Sequence, residues 1–379
     1  MRYPLTEEQL LIQQNAREFA GRYVEPVATA IDRQGSHPEE MVRKMAEHDF
    51  FGLPFPQEYG GVEAGFLSYV LAVEEISRAC ASLGSILINH CSLAAYAIYR
   101  WGTAAQKERF LSPMCGGEKL GAFALYEPGA SVGCGEHRVV AVRKGDGYVL
   151  NGRKYFVANG GAADVYIVFA LTEPEKGLEG LSAFIVEKDV PGFNVLRQVE
   201  KMGLNGLQAA ELALEGVEVS GDSLLGPENG AAAMLHEALA LGKISAAAQI
   251  TGIMQAALAE SVKYAGERVQ FDQPIARFPA IRQMIATMSA NLHLARLAVY
   301  STADLVDKGE PFIAEAAMVH MFAARAGQGA CIDAIQVHGG YGYSQELIVE
   351  RLFRDVKGAL ITDSLFEYPD YLVAENALA

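Results

Sequence analysis

The spacing of hydrophobic positions predicts that the first third of the chain is helical. A capping-box pattern starts at Thr6, and apolar residues between Ile12 and Tyr23 then recur at three- and four-residue intervals. The same periodicity covers most of residues 67–117, after a loop rich in proline and glycine. These patterns predict an N-terminal α-helical domain over residues 1–118.

Near Lys119 the pattern changes to short β-like runs separated by turn dipeptides. Apolar runs at residues 165–170 and 181–187 have the length of strands, and Asn151-Gly152 is typical of a hairpin turn. We therefore predict a middle β domain over residues 119–228.

The last third of the chain returns to helical periodicity. Three long, alanine-rich amphipathic segments cover residues 231–268, 280–308 and 311–337. Long helices of this kind bury their apolar faces against one another. We predict a C-terminal helical bundle domain over residues 229–379 and, for the whole chain, an α+β fold in the order helices, β domain, helices.

Composition excludes several classes of function. The formal net charge of −15 argues against a nucleic-acid partner, which needs a basic surface. The five cysteines have no paired spacing and the histidines have no metal-ligand spacing, so we expect free thiols and no metal. The N-terminus lacks a signal-peptide core, and we see no uncharged apolar run long enough to span a bilayer. We expect a cytoplasmic protein with no membrane contact.

A glycine-rich turn followed by a charged helix, IQVHGGYGYSQELIVERLFRD at residues 335–355, carries the most information. On physical grounds alone, a helix C-cap followed by an ion-paired helix is favoured over a cofactor loop. Its order and spacing resemble the C-terminal signature of the acyl-CoA dehydrogenase family of flavoproteins. The resemblance extends over the whole chain and implies an N-terminal helical domain, a central β-barrel-like domain and a C-terminal four-helix bundle.

The resemblance implies FAD as cofactor, and the first contacts come from the middle domain. The segment 121–138 is similar to the family's flavin-binding stretch LTEPGAGSD; Leu125 matches, Tyr126 stands for a threonine, and Val132 stands for a serine that contacts the CoA arm. Without the resemblance, this segment reads as a series of β-turns. In the next segment, Phe156 matches an aromatic residue beside the flavin ring, or else packs in the core. Ala158 replaces a threonine whose hydroxyl donates to the ring.

Further cofactor contacts are implied near the C-terminus. ERVQFDQPIARF is similar to a family segment whose arginine and phenylalanine reach the FAD of a neighbouring subunit, and both are present as Arg268 and Phe271. The resemblance implies a homo-oligomer, typically a homotetramer built as a dimer of dimers. The remaining implied cofactor positions are Gln336, Gly339, Gly340 and Leu365.

The family's catalytic glutamate is replaced by Asp363 here, so the resemblance implies Asp363 as the base that removes the α-proton. A plain helix or turn cap is the other interpretation of Thr-Asp-Ser. An alternative family position for the base is Gly242 in this chain, which carries no carboxylate. On the helix that contacts the CoA arm, Lys243 stands for the family's arginine. This leaves open an altered contact with CoA, or a substrate whose acyl group is carried by an acyl carrier protein in place of CoA.

The sequence therefore predicts an FAD-dependent acyl-CoA dehydrogenase that passes its electrons to an electron-transfer flavoprotein. The acyl group could be branched or cyclic, because an aspartate is shorter than a glutamate and needs a closer substrate. Two alternatives remain: an enzyme that reduces an enoyl thioester or does other flavin chemistry, and a binding protein that has lost catalysis.

Overall fold

The computed structural model describes residues 3–129, 138–362 and 369–378. The N-terminal part is helical, as its periodicity predicts. Thr6 caps the first helix: its side chain accepts from the backbone N–H of Gln9, and the Gln9 side chain accepts from the Thr6 backbone. The helices are α1 Glu7–Phe19, α2 Ala28–Gln34, α3 Glu39–Glu47, α4 Phe66–Ala79, α5 Ala81–Ile88, α6 Tyr96–Trp101, α7 Ala104–Gln106 and α8 Ser112–Cys115.

The middle part forms one eight-stranded sheet. Its strands are β1 Gly121–Ala124, β2 Val140–Lys144, β3 Gly147–Ala158, β4 Val165–Leu171, β5 Leu181–Glu187, β6 Phe193–Gln198, β7 Ala209–Ser220 and β8 Leu224–Leu225. The strand order is β6-β7-β3-β2-β4-β5-β8, and β1 pairs with β4 in parallel. The strand β4 is buried along its whole length, which explains its continuous apolar run.

The C-terminal part is helical again, so the predicted α+β order is confirmed. The helices are α9 Ala231–Glu267, α10 Pro279–Lys308, α11 Ile313–His338, α12 Val349–Thr362 and α13 Pro369–Leu378. The helix α9 packs against α10, α11 and α12 and also against α4. A short hairpin, β9 Val269–Gln270 and β10 Gln273–Pro274, joins α9 to α10.

The helices α5 and α6 belong to one long helix, Ala81–Trp101, whose middle is a π-helical turn at Asn89–Ala95. Its length and composition are those of a membrane span, but 94% of its most apolar window is buried inside the protein. It is therefore the central helix of a core. A π turn adds a residue to a helical turn and is frequent at functional sites.

A buried histidine fixes the π turn against the sheet. His90 accepts at Nδ1 from the backbone N–H of Gly121 (3.0 Å), so its Nε2 carries the proton and donates to the carbonyl of Met114 (3.1 Å). Burial lowers the pKa of His90 to about 4. The ring is thus neutral in the folded protein, and the start of β1 depends on that neutral form.

We expect His90 to make stability sensitive to pH. An unfolded histidine binds a proton near pH 6.5 and the folded one does not until about pH 4, so stability falls as the pH drops between these values. Replacing His90→Gln keeps a donor and an acceptor but removes the titration. Between about pH 7.5 and pH 5, wild type should lose about 2 kcal/mol more unfolding free energy than the variant. Urea unfolding of both proteins measures this.

The comparison also cancels other titrating groups. Burial lowers the pKa of His320 to about 4 and raises the pKa of Asp355 to about 6, and both residues are present in wild type and variant. Equal losses in the two proteins would contradict the assignment to His90.

Candidate active site

A small cavity lies where the π turn, the sheet and α9 meet. Four residues predicted to contact the cofactor, Leu125, Tyr126, Phe156 and Ala158, lie together on its wall although two separate segments supply them. The rest of the described lining is Asn89, Leu93, Phe123 and Leu239.

A β-bulge shapes the wall that carries Phe156. The pairing of β3 with β7 shifts by one residue between Lys154 and Val157, and Phe156 has a positive φ of 54°. A non-glycine residue adopts such a φ only where its surroundings impose it, and bulges often re-aim a side chain next to a site. The backbone N–H of Tyr155 donates to the carbonyl of Tyr126 (2.8 Å), which joins the two cofactor segments directly.

A buried ion pair holds the same two segments together. The Nζ of Lys154 lies 2.6 Å from Oε1 of Glu127 and donates also to the carbonyl of Leu125 (3.0 Å), and both charged side chains are 1% exposed. The other oxygen of Glu127 accepts from the backbone N–H groups of Arg138 (2.5 Å) and Val139 (3.1 Å). Burial lowers the pKa of Lys154 to about 8, and the Glu127 carboxylate opposes that shift.

A second cavity, of about 580 Å³, lies at the other end of α9. Three predicted cofactor residues, Arg268, Gly339 and Gly340, line it together. Gly339 has a φ of 58°, and a side chain built at either glycine would meet no atom within 4 Å, so the backbone is open to a ligand. The rest of the described lining is Tyr264, Gln270, Ile275, Val337, His338, Tyr341, Ser344 and Glu346.

An aromatic pair forms part of this second wall. The ring of His338 lies 4.4 Å from that of Tyr264, centroid to centroid, and Nδ1 of His338 is 2.7 Å from the carbonyl of Ala334. That nitrogen therefore carries a proton. The sequence gives His338 only as a structural residue within the glycine loop, whereas it also lines the cavity.

Two other predicted cofactor residues face away from the protomer. Gln336 is exposed near the end of α11. Phe271 is 87% exposed at the tip of the β9–β10 hairpin, where it has a positive φ of 51°. Within one protomer neither residue lines a cavity described above.

None of the residues predicted to contact the substrate lines either cavity in the described part of the chain. Lys243 is 1% exposed inside the helical bundle, so its ammonium does not lie on an open groove, and its charge contributes to the lowered pKa of His320. Its predicted CoA contact stays a prediction. Asp363, Leu365 and Val132 lie outside the described residues.

Four wall residues of the first cavity were not predicted individually: Asn89, Leu93, Phe123 and Leu239. The three that lie on helices reach the site only through tertiary packing. The π turn interrupts the regular helix locally, but no residue pattern in the sequence predicts it.

The whole chain matches known proteins. Residues 6–118, 122–217 and 228–363 match the models described as the acyl-CoA dehydrogenase N-terminal, middle and C-terminal domains. A 3-(aryl)acrylate reductase of Clostridium sporogenes is 42% identical over 373 residues, which are 98% of this chain and 99% of that protein.

Two solved structures superpose over the complete chain. The butyryl-CoA dehydrogenase of Megasphaera elsdenii matches with a TM-score of 0.97 and 37% identity, over 100% of both chains. A chain from work on the electron transferring flavoprotein of Acidaminococcus fermentans, and on flavin-based electron bifurcation, matches with a TM-score of 0.97 and 39% identity, again over 100% of both chains.

We expect the Lys154–Glu127 pair to control the stability of the middle domain. Lys154→Met leaves the Glu127 carboxylate buried without its cation and should cost about 3–5 kcal/mol of unfolding free energy. The matched control is Lys144→Met. Lys144 pairs with Glu218 on the same sheet, but those side chains are 63% and 66% exposed. The control should cost less than about 1 kcal/mol. Chemical denaturation compares them, and similar losses would refute the role given to burial.

Proposed function

This chain belongs to the acyl-CoA dehydrogenase family, and on that premise we propose that it removes hydrogen from Cα and Cβ of an acyl-CoA thioester with Asp363 as the base. It is an oxidoreductase that acts on CH–CH groups, and its cofactor is FAD. The observation that carries the proposal is the joining of Leu125, Tyr126, Phe156 and Ala158 on one cavity wall, next to an apolar wall of helix.

The residues of this cavity suit a flavin ring. Phe156 offers an aromatic face for stacking, and the backbone of residues 125–126 runs along the same wall. FAD held here would supply the acceptor for the hydride that leaves Cβ of the substrate. Ala158 has no hydroxyl to donate to the ring, so the reduced cofactor lacks one neutral hydrogen bond, worth about 0.5–1.5 kcal/mol.

The second cavity suits the other end of the cofactor. Arg268 has a planar guanidinium that binds two phosphate oxygens at once, and Gly339 and Gly340 let a ligand approach the backbone. A cationic group here matters because the whole chain has a formal net charge of −15, which repels an anionic cofactor.

We propose that two protomers share each cofactor. The described linings of the two cavities have no residue in common, and the Phe271 ring lies 87% exposed on its hairpin. An exposed aromatic side chain of this kind suits an interface. In this arrangement the hairpin and glycine loop of one protomer complete the site of its partner, within a homotetramer.

Asp363 is the proposed base because it follows α12 directly and takes the place of the family's glutamate. Proton removal from Cα is favoured where water is excluded, since desolvation raises the pKa of a carboxylic acid and makes it a stronger base. The side chains of Leu93, Phe123 and Leu239 supply such an apolar wall. The backbone N–H of residue 363 would polarise the thioester carbonyl, as the family resemblance implies.

An electron-transfer flavoprotein is the proposed acceptor of the electrons, supported by the structural match to a chain from work on such a protein. We place the reaction in the cytoplasm. A second candidate is the reverse reaction, reduction of an enoyl thioester. The match to a reductase at 42% identity favours it, and so does Ala158, because a reduced flavin that is less stabilised is a stronger reductant.

Asp363→Asn should abolish turnover and keep binding. A positioned general base contributes about 10²–10⁴-fold, so bleaching of bound FAD by saturated acyl-CoA should slow by at least about 100-fold. The control is Asp146→Asn, an exposed aspartate in the turn between β2 and β3, which should change nothing. An unchanged rate in Asp363→Asn would remove this residue from the mechanism.

The same assay separates the two directions. Rapid bleaching by saturated thioesters favours the dehydrogenase. If no saturated thioester bleaches the flavin but enoyl thioesters reoxidise the reduced protein, the reductase is the correct assignment.

Shared sites predict complementation between two inactive variants. Arg268→Ala should lose FAD and activity, and Asp363→Asn should keep FAD but lose activity. Coexpressed, they form mixed oligomers in which one site receives an intact Arg268 and an intact Asp363, so activity should return in part. Mixed oligomers that bind FAD at the Asp363→Asn protomers but stay inactive would show that each protomer builds its own site.

A further inference from the structure

The first cavity has a polar residue on an otherwise apolar wall. Asn89 stands at the start of the π turn and is 6% exposed. Leu93, one turn on, lines the same cavity, and Leu239 reaches it from α9. Apart from Asn89, the one polar side chain among the described lining residues is Tyr126, on the wall where the cofactor ring is proposed to lie.

The orientation of the Asn89 amide is determined by its neighbour. Its Nδ2 donates to the carbonyl of Ser85 (2.9 Å), and because a carbonyl cannot donate, this end of the amide must be the nitrogen. Within the described part of the chain, Oδ1 of Asn89 accepts no hydrogen bond. The amide therefore has an acceptor, and one further N–H, available to a ligand.

The π turn accounts for this position. In a regular α-helix, the side chain of each residue lies over the turn before it, whereas a π turn widens the helix and shifts the positions that follow. His90 locks the turn to β1 through Gly121, so the residue before it is held at a defined place on the cavity wall. Asn89 and Phe156 thus come from separate structural elements that meet around the same space.

Resting on the proposed function, we propose that Asn89 selects acyl-CoA thioesters whose acyl chain carries a neutral hydrogen-bonding group, specifically a hydroxyl. A hydroxyl donates to Oδ1 and accepts from Nδ2, so it satisfies both free groups of the amide. A plain alkyl chain leaves them unpaired, and a site built to bind a hydroxyl discriminates against a substrate that lacks one.

The charge of the lining argues against an acidic acyl group. The described lining residues include no lysine, arginine or histidine, so a second carboxylate would be buried without a cation. A neutral polar group is the class that the cavity can desolvate.

The test compares matched substrates on the holoenzyme. Butyryl-CoA and pentanoyl-CoA are each assayed beside their terminally hydroxylated counterparts, by kcat/KM with an artificial dye and by equilibrium binding to the oxidised protein. Wild type should prefer at least one hydroxylated member by about 10- to 100-fold. Asn89→Leu should abolish or reverse that preference in both measurements. Asn194→Leu, an exposed asparagine on β6, is the control and should leave it unchanged.

The outcomes separate this inference from the proposed function. If wild type uses the alkyl member of every pair equally well or better, the inference is overturned while the dehydrogenase assignment stands. An Asn89→Leu variant that lowers both members of a pair equally also overturns it, since that residue would then act on packing alone. A protein that no thioester bleaches or reoxidises overturns the proposed function itself.

Discussion

The buried pair of Lys154 and Glu127 is the interaction on which the candidate site depends. One charged group belongs to β3, two residues before the bulge at Phe156, and the other follows β1, two residues after Leu125. Neither charged group is solvated by water, so separating the pair would leave an uncompensated buried charge. The 2.6 Å contact between Nζ of Lys154 and Oε1 of Glu127 therefore fixes the distance between two segments that are remote in sequence. The carboxylate also binds the backbone at Arg138 and Val139, so the pair joins residues on both sides of 130–137.

The strained backbone of the bulge at Phe156 needs such fixed contacts around it. A bulky residue at φ 54° is unfavourable by about 1–3 kcal/mol, and the surrounding structure must impose it. Here the ion pair of Lys154 and the hydrogen bond from Tyr155 to Tyr126 hold the two residues that precede the bulge. The aromatic wall is therefore preformed, and the protein meets the cost of arranging it during folding and not during binding.

Much of this architecture could be predicted from the sequence, and the remainder could not, for physical reasons. The helices and strands follow hydrophobic periodicity, which is local. Leu125 and Phe156 were found because they sit in motifs whose spacing is preserved. An individual role for Asn89 could not be predicted, because its place on the cavity wall depends on a π turn and on packing against distant segments. The CoA contact of Lys243 stays a prediction; the burial of its side chain in the bundle could not be predicted, because burial depends on neighbours that one helix cannot reveal.

The exposed hairpin of Phe271 has a consequence for the life of the protein in the cell. A lone protomer displays a large aromatic ring at the end of a tight turn, and displayed apolar surface is what chaperones and proteases recognise in unfinished proteins. If the ring is covered on assembly, quality control would remove unpaired subunits first. The abundance of the protein would then follow the concentration at which its chains find one another, and a weak promoter would produce disproportionately little of it.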